Sequence, residues 1–309
     1  MLSRRWLLVA VLVVLLLVVP LLPIGTESLL TLLFSMFIMA ALASSWNILA
    51  GFAGQINLGH AAFFGLGALI MRQLWLTDVP FIVSFAAGGL AAAAAALFIG
   101  LPALRLRGIY FSIGTLALAQ ALELTIASVL PRVSRLPGPA LREYNLTPRY
   151  YVALAVLLVI VAVVYWLSRS RLGLGMMAVR EDEIAARSIG VNVFLHRLIA
   201  FVLSAFFAGL VGATFAYYHP SYYPSFPFTP VWTFDALLVT FVGGIGTIGG
   251  PLIGAVFFVL IRDVLASSLV DFHLVIFGVI FILVVLVLPG GLVAISTMRG
   301  RRWGAKRSY

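Results

Sequence analysis

Side chains able to do chemistry are sparse in this sequence, and they fall in small groups. Asn47, Gln55, Asn57 and His60 bracket a glycine-rich stretch, and Gln120 and Glu123 stand one helical turn apart. Asp235 is alone in its stretch, Arg262 adjoins Asp263, and Asp271 comes shortly before His273. Such groups suit hydrogen bonding to a solute, or proton or ion handling, inside an apolar surround. An ionisable side chain there costs ~3 kcal/mol and must face a partner or a cavity. Gln55, Asn57, His60, Gln120, Glu123 and Asp235 are therefore candidates to line a pathway. A metal site is not indicated, because the histidines at 60, 196, 219 and 273 are scattered and His60 has no second ligand at coordinating spacing. Hydrolysis would need a nucleophile beside a positioned base, and no serine stands in a G-x-S-x-G elbow. A P-loop is missing too: the sole lysine, Lys306, follows Ala305 in a basic tail, so ATP hydrolysis by that route belongs to another chain.

The densest charge lies between Arg169 and Ala200. Arg180, Glu181, Asp182, Glu183 and Arg187 share one side of a helical wheel, and Met177, Ile184, Ala185 and Ile189 form an apolar stripe. This pattern predicts a short amphipathic helix closed by Gly190, able to lay its stripe in a partner's groove. A solvated loop between two membrane helices is the plainer reading of the same charges.

The elements that must position these groups are set by composition. At 63% hydrophobic and 10% charged over 309 residues, the chain has too little polar surface to coat a soluble globule. It contains no cysteine, which excludes disulfides, thiolate catalysis and Cys-based metal sites. Apolar stretches long enough to cross a ~30 Å hydrocarbon layer are predicted near 6–24, 28–49, 56–74, 79–101, 109–130, 150–168, 199–218, 231–248, 251–270 and 273–290. The fold class is thus an all-α polytopic membrane protein of about ten, or eight to ten, transmembrane or re-entrant segments in one domain spanning 1–309. The first run is read as an uncleaved helix rather than a secretory signal, because it continues through Pro20 and Pro23 and no small-x-small cleavage site follows cleanly.

Ten crossings put both termini on one side. That side, with the loop at 169–198, collects 14 positive residues, against five at Arg72, Arg132, Arg135, Arg142 and Arg149 on the other. The net charge of +10 is therefore read as orientation, with the termini and central loop cytoplasmic, and not as nucleic-acid binding. Glycine crowds two places, Gly51 to Gly59 and Gly243 to Gly250, and broken backbone at membrane depth is tolerated only inside a bundle. Gly51, Gly54, Gly59, Gly243, Gly244 and Gly246 are candidate hinges, and the recurrence in both halves hints at a pseudo-repeat. Gly65, Gly67, Gly209 and Gly212 suit close helix packing instead. The stretch 131–149, with four arginines and four prolines, is expected to be an irregular external loop or cap. The aromatic cluster Tyr217, Tyr218, His219, Tyr222 and Tyr223 is expected at the membrane interface.

Glu183-x-Ala185-Ala186 followed by three residues and Gly190 resembles the E-A-A-x-x-x-G coupling loop of ABC importer permeases. The wider chain, from about Ala43 to Leu292, resembles the LivM-type permeases of branched-chain amino acid importers. The resemblance rests on Asn47-Ile48-Leu49-Ala50-Gly51-Phe52-Ala53-Gly54-Gln55, Leu58-Gly59-His60, Leu104-Arg105-Leu106-Arg107-Gly108, Thr115-Leu116 and Ser170-Arg171-Leu172-Gly173. It continues through Arg180-Glu181-Asp182-Glu183, Ala200-Phe201, Ala208-Gly209, Gly243-Gly244-x-Gly246-Thr247 and Gly250-Pro251. It implies a permease of the cell (inner or plasma) membrane, binding no cofactor itself. Its expected partners are a LivH-type permease subunit, two cytoplasmic ATPase subunits that use ATP, and an external solute-binding protein. Arg180, Glu181, Asp182, Glu183, Ala185, Ala186, Arg187 and Gly190 would meet the ATPase. Departures fall at Asn57, where the family has serine, and at Ile109 and Gln120, where it often has an acid. Leu136-Pro137-Gly138-Pro139 replaces a Thr-Gly-Gly passage, and Pro289-Gly290-Gly291-Leu292 lacks an arginine. A proton- or ion-coupled secondary transporter also uses broken helices and buried acids. Dependence of uptake on a proton gradient rather than ATP separates the two.

Overall fold

The computed structural model describes residues 4–22, 25–106, 108–268, 278–279, 282, 286 and 290–294. The fold is that of an all-α polytopic membrane protein. Its helices are α1 (Arg4–Val18), α2 (Glu27–Asn47), α3 (His60–Leu76), α4 (Phe81–Ala103), α5 (Ile109–Val129), α6 (Gly138–Arg142), α7 (Leu146–Leu167), α8 (Arg171–Glu181), α9 (Glu183–Ser188), α10 (Val193–Tyr218), α11 (Val231–Gly243) and α12 (Gly250–Ser268). Nine of the ten expected spans appear as helices at the expected places; the tenth, at 273–290, with Asp271 and His273, lies outside the described residues.

Helix starts follow side-chain chemistry. Thr26, Asn145, Ser170, Asp182 and Asn192 each accept a backbone N–H two or three residues on, which satisfies donors that the first turn leaves without a partner. Among the described residues five helices, counting α2 through to Phe52, are long and apolar enough to cross a membrane. Two expected spans are shortened at a glycine-rich stretch. The third begins at His60 rather than 56, because residues 54–59 run without helix. The eighth stops at Gly243, because Gly244 takes φ 128°, which ends the helix. At 13 residues, α11 reaches only about 20 Å, less than a full crossing.

The centre of the bundle is α10, packed on α3, α4 and α2. Small residues make this possible: a Cβ on Gly67 or Gly212 would strike the backbone of the facing helix, Gly209 in one case and Phe64 in the other. Lipid gives no hydrophobic drive between helices, so this close approach supplies dispersion instead.

The loop expected to be irregular is ordered. It holds α6 and a two-residue strand, β1 (Ser134–Arg135), paired antiparallel with β2 (Ser221–Tyr222) after α10. Two arginines counted as external charge are buried caps. Arg149 donates to Tyr217 O and Asn145 O and stacks on Tyr144, and Arg72 donates to His219 O with its guanidinium 4.9 Å from the Tyr222 ring. Both point positive charge at carbonyls ending α10, where the helix dipole favours it. Tyr222 is accordingly built into the fold rather than into an exposed belt, and burial pushes its phenol up to about 12.

Candidate functional site

The expected amphipathic helix is two helices. The break falls at Asp182, whose extended backbone ends α8 and whose carboxylate Oδ1 accepts from Ile184 N at 2.8 Å and Ala185 N at 3.0 Å to start α9. Gly190, at φ 85°, closes it as predicted. Val179, Ala186 and Val193 form a small core beneath, so the buried side of α9 is Ala186. Ile184 and Ile189 stand outward, 78% and 76% exposed.

The charges do something different from the isoleucines. Glu183 is held between Arg187 and Arg197, the latter at 3.0 Å, and Gln55 turns its amide oxygen to Arg197 at 3.1 and 3.3 Å. The Glu183–Arg197 pair moors α9 to the start of α10, and Arg197 ties that start to the 54–59 stretch. Arg180 chelates the neighbouring Glu181 and sends Nη1 to Gly51 O at 2.6 Å.

Gly51 lies in a π-helical turn, Ile48–Phe52, that continues α2. Beyond it the irregular backbone is satisfied by other helices, as membrane depth requires. Trp46 donates to Asn57 O, Ser112 donates to Ile56 O, Thr115 accepts from Leu58 N, and Thr233 accepts from Ala61 N. Gly59 is required there because a Cβ would run into the Thr115 carbonyl. The second glycine-rich turn meets the first through Asn47, which donates to Thr247 O at 2.9 Å and accepts from Gly246 N at 2.8 Å.

The six candidate pathway residues do not converge. Asn57 is buried and accepts from Gly59 N. His60, fully buried, shares a 2.9 Å hydrogen bond with Ser45 Oγ. This serine–histidine pair has the atoms of a nucleophile and base, but both residues are enclosed, so no substrate reaches them. Gln120 donates to Glu123 at 2.9 Å on an outward face of α5, a helix that the other described residues leave largely uncovered. Asp235 lines a separate cavity of about 1090 Å³ between α2, α11 and α12, walled by Phe34, Tyr218 and Trp232. There Arg262 approaches it at 3.6 Å. Sequence reasoning missed Arg262 as its partner, Arg197 as an anchor and Thr247 as an acceptor. The i, i+4 relation of Glu183 and Arg187 was the one local signal for this network.

Two relatives, the high-affinity branched-chain amino acid transport system permease protein LivM of Escherichia coli (strain K12) and that of Salmonella typhimurium, are each 28% identical over 283 residues, covering 81% of this chain. The match covers 66% of each relative, so the chain spans just under two thirds of the length of the curated relatives it matches. No solved structure matches the chain. The model of the family described as branched-chain amino acid transport system / permease component matches residues 28–285 and so takes in α2 through α12, both glycine-rich turns and the Arg180–Gly190 helices, and the chain belongs to that family.

Proposed function

We propose that this chain is the membrane-spanning permease subunit of an ATP-driven importer for branched-chain amino acids or related small amino acids and amides. It works with a LivH-type second permease subunit, two cytoplasmic ATPase subunits and an external solute-binding protein. The observation that carries this reading is the pair Ile184 and Ile189, held in water on a helix capped at both ends and moored by Glu183. Exposed apolar side chains on a short, fixed helix match a helix-in-groove contact. Glu183, paired with Arg187 and with Arg197 of α10, holds α9 in place, and the isoleucines make the contact. With the central loop cytoplasmic, movement of the ATPase shifts α8 and α9 and rocks the bundle.

The uncovered face of α5 supports the second subunit. Gln120 and Glu123 on that face suit a protein partner or a water-filled path better than lipid. The translocation path then runs between the two permease subunits, with Gln120 and Glu123 on its wall.

Co-purification from membranes with the candidate cytoplasmic ATPases tests the reading. Wild type should retain them, and Ile184→Glu/Ile189→Glu should lose them with membrane insertion intact, as should Gly190→Pro. Retention in the double variant would refute the docking role of α9.

A further inference from the structure

Arg180 occupies a position that docking of α9 does not account for. Its stem lies along the first glycine-rich stretch, where a Cβ on Gly54 would come within 2.8 Å of Arg180 Cγ. Its head reaches the second, where a Cβ on Gly246 would come within 2.6 Å of Nη1. Both glycines have positive φ, so each serves the turn and the clearance together. Between them Nη1 donates to Gly51 O, a carbonyl in the π-helical turn that ends α2. A charged donor at a helix C-terminus satisfies an acceptor the helix cannot and meets the negative end of its dipole.

Asn47 already fastens the two turns into one unit through Gly246 N and Thr247 O. Arg180 fastens that unit to α8. Its side chain is 36% exposed, at the water edge, so the bond to Gly51 O breaks by a small withdrawal without dragging a charge through the core. Glu181 holds the rest of the guanidinium and keeps its charge solvated when withdrawn.

From this we infer that Arg180 is the positioning residue through which displacement of α8 and α9 locks or frees the two glycine-rich turns. The inference deepens the coupling reading and rests on it for the source of the displacement. The glycines are then spaces kept for an arginine as much as hinges.

Because the natural chain has no cysteine, one introduced thiol reports on the turns. In membranes containing the full chain, Ile245→Cys, half-buried between Gly244 and Gly246, is reacted with a maleimide. Adding Arg180→Ala should raise the labelling rate about tenfold, the effect of losing one charge-assisted hydrogen bond. Arg180→Lys, which keeps a charged donor, should stay within about twofold of the parent. Gly246→Ala, which evicts the guanidinium without removing it, should reproduce the rise and answers the question should Arg180→Ala fail to insert. Arg169→Ala is the control and should change nothing. An unchanged rate in Arg180→Ala or Gly246→Ala, or an equal rise in Arg180→Lys, overturns the inference. The assay uses no ATPase, so its failure leaves the co-purification result standing, and loss of the docking result leaves this one standing.

Discussion

Arg262 on α12 stands 3.6 Å from the carboxylate of Asp235 on α11, and the two side chains are unequally placed, the arginine 60% exposed and the aspartate 15%. Removing one partner is therefore not equivalent to removing the other. Arg262→Met leaves a largely enclosed carboxylate without its cation and should cost about 1–2 kcal/mol, less than for a fully buried pair. Asp235→Asn leaves a solvated arginine and should cost about half as much. The double variant should recover part of the Arg262→Met loss. Thermal unfolding in detergent reads all three, and a larger loss for Asp235→Asn would contradict the asymmetry.

Asn47, fully buried, reaches Gly246 and Thr247, 199 and 200 positions away, by one accepted and one donated hydrogen bond. Asn47→Leu should destabilise by about 2–3 kcal/mol, since Gly246 N and Thr247 O lose their partner in the interior. Hydrogen exchange over 244–250 should accelerate by about the corresponding factor. An unaltered exchange rate there would mean that the turns stay together without it.

Glycines at helix contacts should separate cleanly from glycines in open space. Gly209→Leu intrudes on Ala92 and on the backbone of Gly88, and should abolish accumulation of folded protein in the membrane. Gly138→Ala meets nothing within 4 Å and should fall within about 0.5 kcal/mol of wild type. Equal accumulation of both variants would refute close packing at α10.

Loss of the Asp182 cap should unwind α9 without touching the bundle. Asp182→Ala removes the acceptor for Ile184 N and Ala185 N and should cost the helix about 1 kcal/mol. Amide exchange at 183–189 should rise while that of α10 stays constant. Protection retained at 184 and 185 would show that Glu183 alone sets the helix.

His219, just beyond α10, gives a pH dependence. Burial holds its imidazole below the ordinary 6.5, the Phe215 carbonyl partly opposes this and Arg72 adds to it. The fold thus prefers neutral histidine, while the unfolded chain takes up a proton as pH falls through 6.5. The stability from this group is complete above that pH and lost progressively below it, toward the folded value. Melting temperatures at pH 7.5 and 5.5 should differ less in His219→Phe than in wild type, and an unchanged difference would assign the effect elsewhere.

What the sequence made legible was what repeats locally. Apolar runs located nine helices, and Gly190 marked a helix end because a cap acts within three residues, whereas Asp182, read as lying within one helix, divides it in two. Pairings across the chain left no such trace. Arg180 finds Gly51 over 129 positions, and Asp235 meets Arg262 because two helices turn those faces together. Positive-charge counting treats every arginine alike, so it could not separate the buried caps Arg72 and Arg149 from the exposed Arg132. Nor could polarity alone tell Asn57, which serves the broken backbone, and His60, buried against Ser45, from Gln120 and Glu123, which face outward.

The arginine caps also say where the bundle is able to move. Arg72 from α3 and Arg149 from α7 both grip the last carbonyls of α10, so three helices share one fastening at that extremity. At the opposite extremity, α8 meets the glycine-rich turns through the Arg180 bond to Gly51 O, from a side chain 36% exposed. A lever clamped at one tip by two buried guanidinium groups and joined at the other by a part-exposed one turns about the clamped tip, so a push on α8 is spent at the glycine-rich end.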